Sequence, residues 1–148
     1  MTTLVDNKKV YFNYEIGDTF EAGVELFGHE VKSLKKNQGS LDGSYMIVRG
    51  GEAYMVNTFI PPYQENNTPE GYDPRRNRKL ILRKKEIAEL ASIEGGRGLT
   101  IVPISIYSKG SLIKVRLGVA RGKKKYDKRE SIQKREVDRN VRREFKDR

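Results

Sequence analysis

The sequence predicts a mainly β protein: a small antiparallel barrel of about six strands with short helices, followed by a basic C-terminal tail. Three observations carry this. Short apolar segments of strand period recur from Thr19 to Ala120, punctuated by Gly, Pro and Asn turns. Two pairs of these segments flank glycine-containing turns, at Gly50-Gly51 and Lys109-Gly110, as hairpins do. Positive charge gathers at the end of the chain, where residues 121–148 carry 13 basic and 6 acidic side chains against 17 and 14 in residues 1–120.

The elements follow in order. From Thr19 to Phe27, Phe20, Ala22, Val24 and Leu26 alternate with Glu21, Gly23 and Glu25, the pattern of a half-buried strand with a polar outer face. Gly28 ends it, and His29 to Lys36 reads as a short helix with Val31 and Leu34 on one face. Ser44 to Arg49 and Glu52 to Ile60 form the first hairpin, which Pro61-Pro62 terminates. The proline-rich stretch 61–77 is a long loop, and long loops in compact domains are often functional. Leu80 to Leu82 is a short strand, Lys84 to Ser92 a helix stopped at Gly95-Gly96, and Leu99 to Tyr107 with Leu112 to Ala120 the second hairpin. Closing antiparallel hairpins of this size into a barrel removes exposed edges. An OB-like six-stranded barrel over residues 1–120 is therefore the expected body, with a small sandwich as the alternative. Residues 121–148 form the tail; Val137, Val141 and Phe145 give it a narrow apolar stripe at helical spacing within a charged segment. It is expected to be disordered when free and helical when bound to a partner surface.

Composition removes several functions. The 148 residues include no cysteine and one histidine, so disulfides, thiolate metal sites and histidine clusters are out, and no cofactor or metal is expected. His29 beside Glu30 is the one conceivable acid–base pair, but a surface or helix-capping histidine is the weightier reading. Glu21 and Glu25 share a strand face, where two solvated glutamates outweigh a glycosidase-like pair. No phosphate loop, dinucleotide fingerprint, membrane span or signal-like stretch is present, and the expectation is a cytoplasmic monomer without enzymatic activity. A net charge of +10, skewed to one end, points to a nucleic-acid or anionic-membrane partner. Arg75, Arg76, Arg78 and Lys79, then Arg83, Lys84 and Lys85, form clusters suited to phosphates. Tyr63, Tyr72, Tyr107 and Tyr126 lie near basic residues as potential base-stacking rings, although a single tyrosine is more often a packing residue. A general OB-type RNA binder and a small RNA-modifying enzyme are the competing readings.

Several stretches in order resemble the SmpB family: Phe20-Glu21-Ala22-Gly23, Gly28 to Leu34, Ser44-Tyr45, Gly51-Glu52-Ala53, Asp73-Pro74 with Arg78-Lys79-Leu80, Gly118 to Lys124, and Asp127-Lys128-Arg129. The resemblance spans about residues 7 to 135. It implies an OB-type barrel that binds the tRNA-like domain of tmRNA and delivers it to ribosomes stalled on messages lacking a stop codon. Small-subunit rRNA is then a further partner, and elongation factor Tu an indirect one through alanyl-tmRNA. It implies RNA contacts by Glu21, by Ile81 and Arg83 on one strand, and by Phe12, Tyr14, Arg78, Lys79, Lys123 and Lys124. Ile81 stands where the family has leucine, Arg83 where it has asparagine or histidine, and Phe12 where many members have histidine. In the tail, Tyr126, Asp127, Lys128, Arg129 and Arg135 are implied to meet the decoding centre and the empty mRNA channel, Tyr126 replacing a histidine found in some members.

Overall fold

The computed structural model describes residues 1–64, 69–96 and 98–123. Lys124, Tyr126, Asp127, Lys128, Arg129 and Arg135, the stripe of Val137, Val141 and Phe145, and the expected tail helix lie outside the described residues. The elements are β1 (Thr2–Asp6), α1 (Val10–Asn13), β2 (Tyr14–Val24), α2 (Gly28–Lys35), β3 (Tyr45–Arg49), β4 (Glu52–Val56), β5 (Arg78–Ile81), α3 (Lys84–Glu94), β6 (Leu99–Lys109) and β7 (Leu112–Gly122). All strands join one antiparallel sheet in the order β1-β6-β7-β2-β5-β4-β3. The mainly β antiparallel class is as the sequence predicts, in a single sheet and not a sandwich.

The sheet has seven strands where the sequence suggests six. The extra one, β1, carries no alternation because Leu4 and Val5 are both buried. A register shift between Thr3 and Val5 in its pairing with β6 accommodates two successive inward side chains. Strand β2 starts at Tyr14, five residues before the first clear alternation, and its pairing with β7 is interrupted between Ile16 and Thr19. Gly50 and Gly51, both at positive φ, close the β3–β4 hairpin in two residues, as primed turns require. Strand β4 stops at Val56, because Asn57 takes a left-handed φ of 61°.

The long strands β2, β6 and β7 curl the sheet so that β3 returns beside β6, with α3 packed on both. At this seam a side chain serves where a ladder would run. Glu94 of α3 accepts the Val48 amide of edge strand β3 at 2.8 Å and Arg49 at 3.0 Å. The sheet edge is thereby blunted. The main core lies inside the curl, among Leu34, Met46, Met55, Leu80, Leu90, Ile106 and Leu117. A second, smaller core packs Val10 of α1 against Val102, Ile104 and Ala120, with Tyr14 and Ile16 beside it. It explains why Gly118, which alternation assigns to the polar face of β7 with Lys114 and Arg116, is buried. A Cβ there would come within 2.8 Å of Ile104 Cδ1.

Candidate nucleic-acid interface

Strand register assembles a basic outer face from four strands. Glu21 of β2 lies opposite Arg116 of β7. In the neighbouring row Tyr107 of β6, Lys114 of β7, Gly23 of β2 and Ile81 of β5 are successive partners across the sheet. Lys109 closes the β6 end of this face, next to Gly110. The two-residue Gly110-Ser111 turn pairs Lys109 with Leu112 and so sets which side chains of β6 and β7 face out.

Glu21 is the organised group at its centre. The Tyr107 hydroxyl donates a short hydrogen bond to Glu21 Oε2, and Lys109 Nζ lies 3.5 Å from Oε1. The Tyr107 bond, helped by Lys109 and Lys114 and opposed by partial desolvation, holds the Glu21 carboxyl below its ordinary value. Desolvation and the adjacent carboxylate push the Tyr107 phenol up to about 12, so it stays a donor at neutral pH. An ionised carboxylate has about four lone-pair sites, so Glu21 keeps acceptors for a base amino group or a ribose hydroxyl. Its solvent side remains open, at 43% side-chain exposure.

Ile81 is 56% exposed beside this carboxylate, an apolar side chain on a polar face. Gly23 makes room for it, since a Cβ at Gly23 would sit 3.2 Å from Ile81 Cβ. Arg83 is exposed where β5 gives way to α3, its amide donating to Glu86 at 3.2 Å. Lys79 is half-buried and paired with Glu52 at 3.0 Å, which raises its pKa and partly neutralises its charge.

Arg78 does not belong to this surface. It is fully buried, and its guanidinium lies 2.7 Å from Glu30 Oε2 while donating to the carbonyls of Thr58, Arg76 and Pro74 and to the Tyr72 hydroxyl. The expected phosphate contact is therefore corrected to an interior tie: β5 alternates, and this position faces the core side. Glu30, equally buried, also accepts from Arg76, from the Tyr72 hydroxyl at 2.9 Å and from the Phe27 amide at 2.8 Å. Burial would raise the Glu30 carboxyl, but Arg76, the Phe27 amide and Arg78 outweigh it and hold it below 4.5. With Glu30 so committed, it forms no acid–base pair with His29. That ring meets Tyr72 edge-on at 4.6 Å, and both its nitrogens are buried without a partner.

Of the expected stacking tyrosines, Tyr72 and Tyr107 take packing roles, and Tyr126 lies outside the described residues. Tyr72 belongs to the Glu30–Arg78 network, and burial pushes its phenol up to about 12. Tyr107 is 2% exposed, and Tyr63 has Lys32 Nζ 6.0 Å from its ring centroid.

Phe12, Tyr14 and Lys123 form a separate group. Tyr14 pairs with Gly122, and the Lys123 amide donates to Asn13 at 3.0 Å, so these residues gather where β7 ends. A cleft of about 240 Å³ beside Tyr14 is lined by Asn7, Lys9, Asn13 and Asp42. Glu21 lies seven positions along β2 from Tyr14, roughly 20 Å at strand rise. The structure thus places Glu21 and Ile81 on one face, with Arg83 exposed just beyond the end of β5, and sets Phe12, Tyr14 and Lys123 apart from them. Lys109, Lys114 and Arg116 are surface members that sequence reasoning missed. Alternation along β7 signals the last two, but the pairing of β7 with distant β2 does not show in the sequence. No helix among the described residues is long and apolar enough to cross a membrane.

Comparison with known proteins agrees with this architecture. The chain is 47% identical over 144 residues to the SsrA-binding protein of Staphylococcus saprophyticus, covering 97% of this chain and 93% of the relative. It is 44% identical over 143 residues to the SsrA-binding protein of Microcystis aeruginosa, with the same coverage of each. A chain from a solved structure described as "tmRNA-SmpB: a journey to the center of the bacterial ribosome" superposes with a TM-score of 0.69 at 40% identity, over 86% of this chain and 92% of that one. The sequence profile of the SmpB protein family matches residues 4–147. With the match running almost from end to end, the chain belongs to the SmpB protein family.

Proposed function

We propose that this protein binds tmRNA and brings it to stalled ribosomes in trans-translation. The observation that carries the reading is the Glu21 carboxylate, held by Tyr107 and Lys109 within a face that also presents Lys114, Arg116 and Ile81. Lysines and arginines supply sequence-independent attraction to phosphates. A fixed carboxylate repels phosphate, so its use is discrimination: it accepts from a base or ribose only in the right register. Relatives named SsrA-binding proteins and the structural match to SmpB with tmRNA support the same partner.

In this reading the body, residues 1–120, selects the tRNA-like domain of tmRNA and stands in for the missing anticodon arm. The tail, residues 121–148, enters the decoding centre and the empty mRNA channel. Asp127, Lys128 and Arg129 act there, with Tyr126 stacking on a base and Arg135 meeting rRNA phosphates. A tail that folds only in an RNA-walled channel loses ordering entropy at that step, so folding reports that the channel is empty. Phe12, Tyr14 and Lys123, adjoining the start of the tail, form a second contact with tmRNA apart from the Glu21 face.

A gel shift of labelled tmRNA against excess tRNA and rRNA fragments tests the reading. Selective retention of tmRNA is expected, and equal competition by all three overturns it. Truncation after Arg121 is expected to leave most tmRNA binding and abolish tagging. Loss of binding as deep as that of Glu21→Ala would contradict the division between body and tail.

A further inference from the structure

Three large apolar side chains lie exposed and are linked by two clefts that share Ile81: Phe27 at 51%, Ile81 at 56% and Leu112 at 58%. Singly such residues are ordinary, but a contiguous apolar strip marks a binding surface. Ile81 stands in the middle. On one side of it a cleft runs to Leu112, and on the other a cleft of about 500 Å³ runs to Phe27, lined by Val24, Glu25, Leu26, Phe27, Arg76 and Ile81. The second is within the range of small-molecule sites, roughly 300–1,000 Å³.

We propose that the cleft between Ile81 and Phe27 is a subsite for one unpaired nucleobase of the bound RNA, with Phe27 and the Arg76 guanidinium as its stacking surface. The inference rests on the RNA-binding reading above and names a contact beyond the Glu21 face. The Arg76 guanidinium lies 4.1 Å from the Phe27 ring centroid, so two flat groups are already stacked at the cleft wall. Arg76 cannot swing away, because buried Glu30 binds it through two nitrogens. Glu30 is shared with Arg78, so the pairing offsets only part of the Arg76 charge, but it fixes the guanidinium as a planar surface suited to a base. Glu25 on the rim acts in the same direction: its carboxylate disfavours a phosphate in the cleft and can accept from an exocyclic amino group. The backbone of such a nucleotide stays outside, within the field of Lys114 and Arg83. Continuity through Ile81 places the base next to Glu21, so both contacts can be made by one RNA.

The test uses the full chain and a transcript of the tRNA-like domain of tmRNA, with affinity measured by fluorescence anisotropy across a salt series. Phe27→Ala is expected to weaken binding by about five- to a hundredfold, the range for losing one base–aromatic stack. The slope against salt should not change, because no phosphate contact is removed. Phe27→Tyr should restore most of the loss and Phe27→Leu little of it. Phe27 is half exposed and stacks on Arg76, so Phe27→Ala should lower the melting temperature by only a few degrees, and affinity is measured well below it on folded protein. If the leucine variant binds as tightly as the tyrosine variant, stacking is not the contact and the inference is overturned, and the same holds if Phe27→Ala binds like the parent. If truncation after Arg121 removes the Phe27 dependence, the tail and not a base fills the cleft, which also overturns it. These outcomes leave tmRNA selectivity intact, whereas a parent protein that binds tRNA equally well sinks the functional reading first.

Discussion

Replacing Arg78 by alanine removes five hydrogen bonds from the interior: one to Glu30, one to the Tyr72 hydroxyl, and three to the carbonyls of Thr58, Arg76 and Pro74. Both Arg78 and Glu30 are at 0% exposure, so neither water nor a neighbouring loop replaces what is lost. Deleting one partner of a buried pair costs about 3–5 kcal/mol, because the other partner stays desolvated. Arg76 still binds Glu30, which places the loss toward the lower end. At about 3 kcal/mol, and about 3–4 °C per kcal/mol for a domain of this size, that corresponds to a fall in Tm of roughly 9–12 °C. Arg78→Lys should recover little, since one ammonium cannot reproduce the forked contacts to five acceptors. Thermal unfolding by circular dichroism measures the stability term. RNA affinity measured on folded protein at low temperature, across a salt series, measures the other. A phosphate contact contributes about 0.7–0.9 to the salt slope, and Arg78→Ala should change that slope by nothing. An unchanged Tm with a flattened slope would refute the reasoning and return Arg78 to the RNA-binding surface.

Glu30→Gln should destabilise the protein at pH 7 and blunt its loss of stability in acid. The folded Glu30 carboxyl lies below the ordinary 4.5, so its contribution is complete above that value and disappears as pH falls through the lower folded one; an acid limb identical to the parent's would contradict this. Tyr107→Phe should let the Glu21 carboxyl rise toward its ordinary value, readable by carboxyl NMR titration, because the Tyr107 hydrogen bond is the main cause of its depression. The same variant should weaken selective RNA binding by about tenfold, as loss of one charge-assisted hydrogen bond does, and should do nothing further in a Glu21→Gln background. Gly118→Ala should cost about 1–3 kcal/mol by overpacking, since the new methyl meets Ile104 and Ile16 in the second core; an unchanged denaturation midpoint would show that these two side chains yield without strain.

Much of this architecture is legible along the chain. The alternation from Phe20 to Leu26 and from Ile113 to Val119, and the Gly50-Gly51 turn, mark strands because period-two burial and left-handed glycines are local properties. β1 escapes that reading because two adjacent residues are buried through a bulge, and the start of β2 escapes it because its outer side is covered by α1. The site is half legible. Glu21 and Ile81 stand out by resemblance, and both are exposed on the assembled face. Arg78 looks like Arg75 and Arg76 in the sequence, yet one guanidinium is buried, one is stacked 5.1 Å from the Phe59 ring and one is stacked on Phe27.

What the sequence determined by itself is the mainly β class, the two hairpins, the basic end of the chain and the family to which the motifs belong, all of which follow from local pattern and ordered motifs. What only the tertiary structure decided is which charges are available. Lys114 and Arg116 lie beside Glu21 because β7 pairs with β2, more than ninety residues away in the chain, Lys109 joins them because β6 pairs with β7, and Arg78 is withdrawn because Glu30 of α2 lies beneath it. Charge is a property of the residue, but access to an RNA depends on strand register and burial, and both are fixed only when distant segments pack.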